Sequence, residues 1–190
     1  MLVLALGLIV FLGAHLVPVA TGFHQRLLAA LGTGRYRILF SVVSLAGLAV
    51  VIWGYGLARA AGPPLIYDPP LWLRHVTLLL MLPVFVLAAA AYLPGHISAT
   101  VRHPLVTAVK LWAFAHLLAN GDAASALLFG GFLAWGVVDR ISLKRRVAAG
   151  LVTVRSGPWR NDAIAVVVGL AVYVAFVLQL HALLIGVPLV

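Results

Sequence analysis

The stretch AIAVVVGLAVYVAFVLQLHALLIG, Ala163–Gly186, runs for 24 residues without a charged side chain. As a helix rising ~1.5 Å per residue it reaches about 36 Å, enough to cross a ~30 Å hydrocarbon core. Working outward, further apolar runs occupy about Leu2–Ala20, Ile38–Ala60, Leu73–Leu93, Pro104–Ala119 and Ala123–Val138. Six crossings of ~20 residues consume about 120 residues, which is nearly what a chain of 190 residues that is 64% apolar can supply. Charged side chains make up 9% of the chain, against ~25% in a soluble domain. A water-soluble globule and a disordered chain are excluded on these grounds, and the absence of cysteine excludes a disulfide scaffold. The expected fold is all-α: a polytopic membrane protein, a six-transmembrane-helix bundle forming one domain over residues 1–190.

The net charge of +9 does not point to nucleic acid, because the basic residues are spread between apolar runs and form no dense face with interleaved aromatics. Their placement carries orientation instead. The connections after the first, third and fifth runs hold three, one and six Lys or Arg, whereas the opposite side holds only Arg59 and Arg74. The positive-inside rule puts the odd-numbered connections in the cytoplasm and both termini on the non-cytoplasmic side. The expected home is a bacterial inner membrane, with the chain crossing it several times and the lipid bilayer as its main partner. The first run lacks a basic n-region and reads as a crossing, not a cleaved leader.

Local signals divide the runs. Pro18 predicts a bend beside His15, and His24–Leu31 reads as a short interfacial helix. Gly62-Pro63-Pro64 and Asp68-Pro69-Pro70 predict a stiff loop, and Pro83 a kink. Pro94 to His103 reads as a loop, after which Pro104 suits a first helical turn. Asp139 to Asn161 reads as a long basic segment, with Asn161 and Asp162 capping the last crossing.

The four acids, Asp68, Asp122, Asp139 and Asp162, lie in or beside connections, and glutamate is absent. Two-carboxylate hydrolysis and carboxylate-bound metals therefore lack their side chains, as does a buried proton relay. The apolar runs offer imidazole instead, at His15, His75, His103, His116 and His181. Neutral imidazole costs less to bury than a carboxylate and is a good ligand for haem iron. A hydrogen bond to a nearby carbonyl accounts for a buried histidine equally well. His24 and His96 fall in connections and read as solvated. Lys110, inside the fourth run, must snorkel, pair or meet an anion, for which a haem propionate and a lipid phosphate both qualify.

Several pieces carry a family resemblance: Ala14-His15, the run Gly34-Arg35-Tyr36-Arg37-Ile38-Leu39-Phe40, Arg102-His103-Pro104-Leu105, Trp112-Ala113-Phe114-Ala115-His116-Leu117-Leu118-Ala119-Asn120-Gly121, and Asp139-Arg140 with Arg145. Together they resemble the NnrU family over nearly all of residues 1–185. That family includes bacterial NnrU, associated with nitrite and nitric oxide reduction, and plant 15-cis-ζ-carotene isomerase, a haem b enzyme. The resemblance implies haem b here, with His15 and His116 as axial ligands to the iron. Where the plant enzyme has a cysteine three residues before its second haem histidine, this chain has Ala113. It also lacks the plant histidine in the loop after the second crossing, near Leu57-Ala58-Arg59.

The implied function is a haem b membrane protein of NnrU type with a redox or accessory role in nitrite or nitric oxide metabolism, meeting a membrane or periplasmic redox partner. Arg102, Lys110 and His103 are the candidates around the cofactor. His103 or His75 stands in if His15 and His116 differ too much in depth. The implied alternative is a haem-dependent carotenoid cis–trans isomerase taking an apolar substrate from the bilayer. Arg102-His103-Pro104 also resembles the opening of a motif in S-adenosylmethionine-dependent membrane methyltransferases, but the later glutamates of that motif are missing.

Overall fold

The structure, a computed structural model, describes residues 1–189. Helix α1 (Leu2–Leu16) does not bend at Pro18 but ends before it, in a 3₁₀ turn over Val17–Val19. The ring of Pro18 removes the amide that another α turn needs. Helix α2 (Thr21–Ala60) is broken at Gly32, whose φ of 73° and ψ of 157° lie outside helical space. Glycine adopts that conformation without a Cβ penalty. The residues before Gly32 form the short helix expected in the first connection, though it begins earlier, at Thr21.

Helix α3 (Trp72–Tyr92) contains Pro83. The stretch that follows, expected to be a loop, holds a helix of six residues, α4 (His96–Val101). Helix α5 (Pro104–Ala119) starts at Pro104 as expected. Helix α6 (Ala123–Ala148) runs ten residues past Val138, where the sequence reads as a basic connection. Leucine, lysine and arginine are good helix formers, and nothing from Asp139 to Ala148 breaks the backbone. Gly150 then ends the helix at φ 72°. Its amide donates to the Val147 carbonyl and that of Leu151 to the Arg146 carbonyl, which is the Schellman arrangement. Helix α7 (Trp159–Ala175) continues through a π turn, Phe176–Leu180, into α8 (His181–Ile185).

The expected cap of the last crossing is corrected. The helix begins at Trp159 behind Pro158, so Asn161 and Asp162 lie within its first turn. Asp162 accepts the amides of His96 and Ile97 at 2.8 and 2.9 Å and thereby caps α4. Asn161 donates to the Pro94 carbonyl at 2.8 Å. His96, read as merely solvated, has its Nδ1 3.0 Å from Asp162 although its side chain remains largely exposed.

The connections alternate between two ends. At one end the α2–α3 loop pairs with the α5–α6 turn: the Ile66 amide donates to Gly121 at 2.7 Å and that of Ala123 to Pro64 at 2.9 Å. The α3–α5 connection and the start of α7 meet at the other end. Five segments are long and apolar enough to cross a membrane: α1 with its 3₁₀ turn, α2, α3, α6, and α7 with its extensions. The expected fourth crossing, α5, has 16 residues, about 24 Å of helix. The described residues therefore form an all-α protein with five long apolar segments and one shorter one.

Helix α1 lies antiparallel on α2, and glycine sets how closely. A Cβ on Gly54 would fall 2.5 Å from the Leu4 nitrogen, one on Gly7 2.6 Å from the Val51 nitrogen and one on Gly47 2.8 Å from the Phe11 nitrogen. Such small residues let backbones approach where lipid supplies no hydrophobic drive between helices. Leu4, Leu8, Val51, Ala113, Leu128 and Phe129 form the buried centre where α1, α2, α5 and α6 meet. Helices α3, α5 and α7 make a second group, tied by Thr77 Oγ1 donating to the Ala115 carbonyl at 2.9 Å and Tyr173 to the Leu78 carbonyl at 3.1 Å. The contact of α5 with α6 joins the two groups.

Candidate functional site

His15 closes the last turn of α1 and His116 the last turn of α5. Each uses its helix in the same way. Nδ1 of His15 lies 2.7 Å from the Phe11 carbonyl and Nδ1 of His116 lies 2.8 Å from the Trp112 carbonyl, both four residues back. A carbonyl only accepts, so Nδ1 carries the proton and Nε2 presents a lone pair. Histidines that bind metal are held in this tautomer by the same kind of second bond.

The surroundings are aromatic. The His15 ring lies 4.4 Å from Phe11, 5.1 Å from Phe40 and 5.9 Å from Trp135. The His116 ring stacks on Phe129 at 4.7 Å and lies 5.3 Å from Trp112. Phe132 joins the two niches, 5.6 Å from Phe11 and 5.3 Å from Trp112. Trp135 and Phe129 are six residues apart on α6, so the imidazoles sit at levels about 9 Å apart along that helix. Beside His116 a cavity of about 60 Å³ is lined by Thr77, Met81, Phe85, Tyr173, Phe176 and His181. The π turn supplies part of its wall, and His181 is held by its Nδ1, 2.7 Å from the Val187 carbonyl.

The other expected residues gather elsewhere. Arg102 has φ 67° and ψ −44°, and the His103 amide donates across it to the Val101 carbonyl at 2.9 Å. This is a γ-turn of the strained, positive-φ kind. His103, which precedes Pro104, lies outside the α region, with φ −135° and ψ 71°. Burial, then the guanidinium groups of Arg140, Arg146 and Arg102, holds its pKa below the usual histidine value. The stem of Lys110 packs over Gly136, where a Cβ would fall 2.5 Å from its Cγ. His75 is exposed on α3 and is not brought to either niche.

A polar cluster at this end escaped the sequence reading. Asp139, 8% exposed, pairs with Arg146 at 3.3 Å. The spacing of seven residues, two helical turns, is the signal that identifies the pair. Around it Tyr36 Oη, His103 Nε2, Trp135 Nε1, Arg140 Nη1 and Arg146 Nε are buried without a hydrogen-bond partner among the described residues. At the opposite end Asp122 caps α6, accepting the Ser125 amide at 2.9 Å and its hydroxyl at 2.7 Å. Tyr55 Oη lies 2.9 Å from the same hydroxyl, and Arg59 lies 3.6 Å from Asp122. Burial pushes the Asp122 carboxyl up, but the Ser125 bonds and Arg59 prevail and hold it below the usual carboxylate range.

Residues 3–189 match the family model described as NnrU protein. The chain belongs to the NnrU family. No curated protein and no solved structure matches it.

For an NnrU-family chain, haem is the cofactor to test against these niches. Among the described residues no three His or Asp side chains gather to hold a bare metal ion. A macrocycle brings its own equatorial nitrogens and asks the protein only for axial ligands, and two bare Nε2 atoms are a donor set of that kind. Space sets a condition. Cofactor sites measure ~300–1,000 Å³, whereas the His116 cavity is about 60 Å³. A porphyrin shared by both imidazoles has to displace the linking rings Phe11, Phe132 and Trp112.

Proposed function

We propose that this NnrU-family chain is a haem b protein of a bacterial inner membrane, crossing it six times with both termini on the non-cytoplasmic side. It serves a redox or accessory role in nitrite or nitric oxide metabolism. The observation that carries the reading is the shared Nδ1–H to carbonyl bond of His15 and His116, which leaves both Nε2 atoms free to ligate in a dry aromatic setting. The bound haem supplies one-electron redox chemistry. The chain's own part would be to fix the imidazole tautomers and to exclude water with Phe40, Phe129 and Trp135. Arg102 and Lys110 are the propionate candidates on the basic side. With His15 and His116 both holding the haem, the chemistry supplied would be electron transfer, through an encounter with a membrane or periplasmic redox partner.

The carotenoid isomerase alternative gains no specific observation, because the apolar cavity at His116 is small. The methyltransferase alternative rests on Arg102-His103-Pro104 alone, since the later glutamates of that motif are absent from the chain. Absorbance of the purified protein, expressed with sufficient haem, tests the reading. A Soret band with the sharp visible bands of low-spin haem is expected, lost or shifted in both His15→Ala and His116→Ala. No band, or a band unchanged in both variants, overturns it.

A further inference from the structure

The basic end also contains a cleft of about 370 Å³, open to the surface, between the 3₁₀ turn after α1, the start of α2 and the last turns of α6. Its apolar wall includes Val138, Ile141 and Leu151, and its polar groups are Thr21, Ser142, Arg145 and Arg146. Val138, Ile141 and Leu151 are 44%, 49% and 62% exposed, so the wall runs on into the apolar outer face of the bundle. The two guanidiniums differ. Arg146 is nearly enclosed, binds Asp139 through Nη2 and keeps a buried Nε without a partner among the described residues. Arg145 is exposed. From Asp139 to Arg146 the helix carries Arg140, Lys144, Arg145 and Arg146 against a single carboxylate. Hydroxyls and guanidiniums beside an apolar wall that meets the lipid call for a ligand with an anionic head and a hydrocarbon tail.

We propose that this cleft binds the headgroup of an anionic phospholipid. The phosphate lies against Arg145 and Arg146, with Thr21 and Ser142 donating hydroxyls, and an acyl chain follows Val138 and Ile141 along α6. Basic pockets between transmembrane helices recognise anionic lipids by this combination of charge and apolar contact. Its place at the end that holds ten of the thirteen basic residues fits the interface where such headgroups concentrate. The cleft shares no lining residue with either histidine niche, and the proposal does not depend on haem.

Thermal unfolding of the full chain in a neutral detergent tests it, with phosphatidylglycerol, phosphatidylcholine or inorganic phosphate added. Phosphatidylglycerol is expected to raise the melting temperature saturably, while the other two leave it where it is. Arg145→Gln, an exposed position, is expected to weaken the phosphatidylglycerol midpoint about fivefold, the worth of one basic residue at a membrane surface. Arg155→Gln, an exposed residue outside the cleft, should not change it. Equal shifts with both lipids, an equal shift with inorganic phosphate, or an Arg145→Gln midpoint like that of the unmodified chain overturns the proposal. Arg146→Gln is not used, because it would leave Asp139 without its partner.

Discussion

The two ends of the bundle handle buried polarity in opposite ways. At the Asp122 end one carboxylate takes up the Ser125 amide and hydroxyl, Tyr55 joins the same hydroxyl, and Arg59 closes the set. At the His103 end one carboxylate, Asp139, stands among a surplus of polar side chains, five of whose buried atoms have no partner among the described residues. Buried polar groups are normally satisfied, and leaving one unsatisfied costs ~1–3 kcal/mol. The closed network therefore acts as a clasp between α2 and the start of α6. The open one, with excess positive charge, is shaped for an acceptor that the chain does not itself supply.

The largest effect should come from removing the lone carboxylate at the open end. Asp139→Asn leaves the Arg146 guanidinium buried without a counter-charge and is expected to cost about 3 kcal/mol, the range for breaking a buried pair. Asp122→Ala removes a cap and two further bonds and is expected to cost about 2 kcal/mol. Chemical unfolding in detergent micelles measures both. A smaller loss for Asp139→Asn than for Asp122→Ala breaks the contrast.

Acid should separate the ends next. His103 resists protonation in the fold, so the unfolded chain takes up the proton first. Stability from His103 is complete above its unfolded pKa of ~6.5 and is lost as pH falls from there toward the lower folded value. Asp122 is shifted down, so its contribution is complete above the ordinary carboxylate pKa of ~3.9 and is lost only as pH falls from there through its folded value. Amide protection factors, corrected for the intrinsic exchange rate and followed from pH 7 to about pH 3, should therefore fall around Val101–Thr107 before they fall around Pro64–Tyr67 and Ala123–Ser125. Simultaneous loss contradicts the assignment. The smallest effect is at Arg102, whose positive φ costs ~1–3 kcal/mol for a residue with a Cβ. Arg102→Gly should recover about 1 kcal/mol in thermal melts, and no gain contradicts the strain.

Apolar run length and proline position make α1, α3, α5 and the core of α7 legible in the sequence, and Gly32 breaks α2 just after Leu31, where the short interfacial helix is expected to end. The extension of α6 to Ala148 was legible too, from Gly150, but charge at Asp139–Arg146 reads as a connection when helix propensity is the stronger signal. Asp162 illustrates the opposite limit: local spacing makes it a cap, yet its partners His96 and Ile97 are some sixty-five residues away in sequence, and only packing reveals them. The glycines at 7, 47 and 54 likewise acquire meaning only once α1 lies on α2. For the candidate site, the i−4 carbonyls that orient His15 and His116 follow from helix geometry. What stands on the Nε2 side of each ring depends on tertiary packing and could not be read from spacing.

The π turn at Phe176–Leu180 has a bearing on the His116 niche beyond forming its wall. A π turn is one residue in excess of the α repeat, and each residue of an α-helix advances the chain by about 100°. Everything beyond the turn is thus rotated by that amount relative to an unbroken α7. His181 faces His116 across the small cavity because of this single surplus position, so the second imidazole of that niche is placed by a fault in the helical repeat.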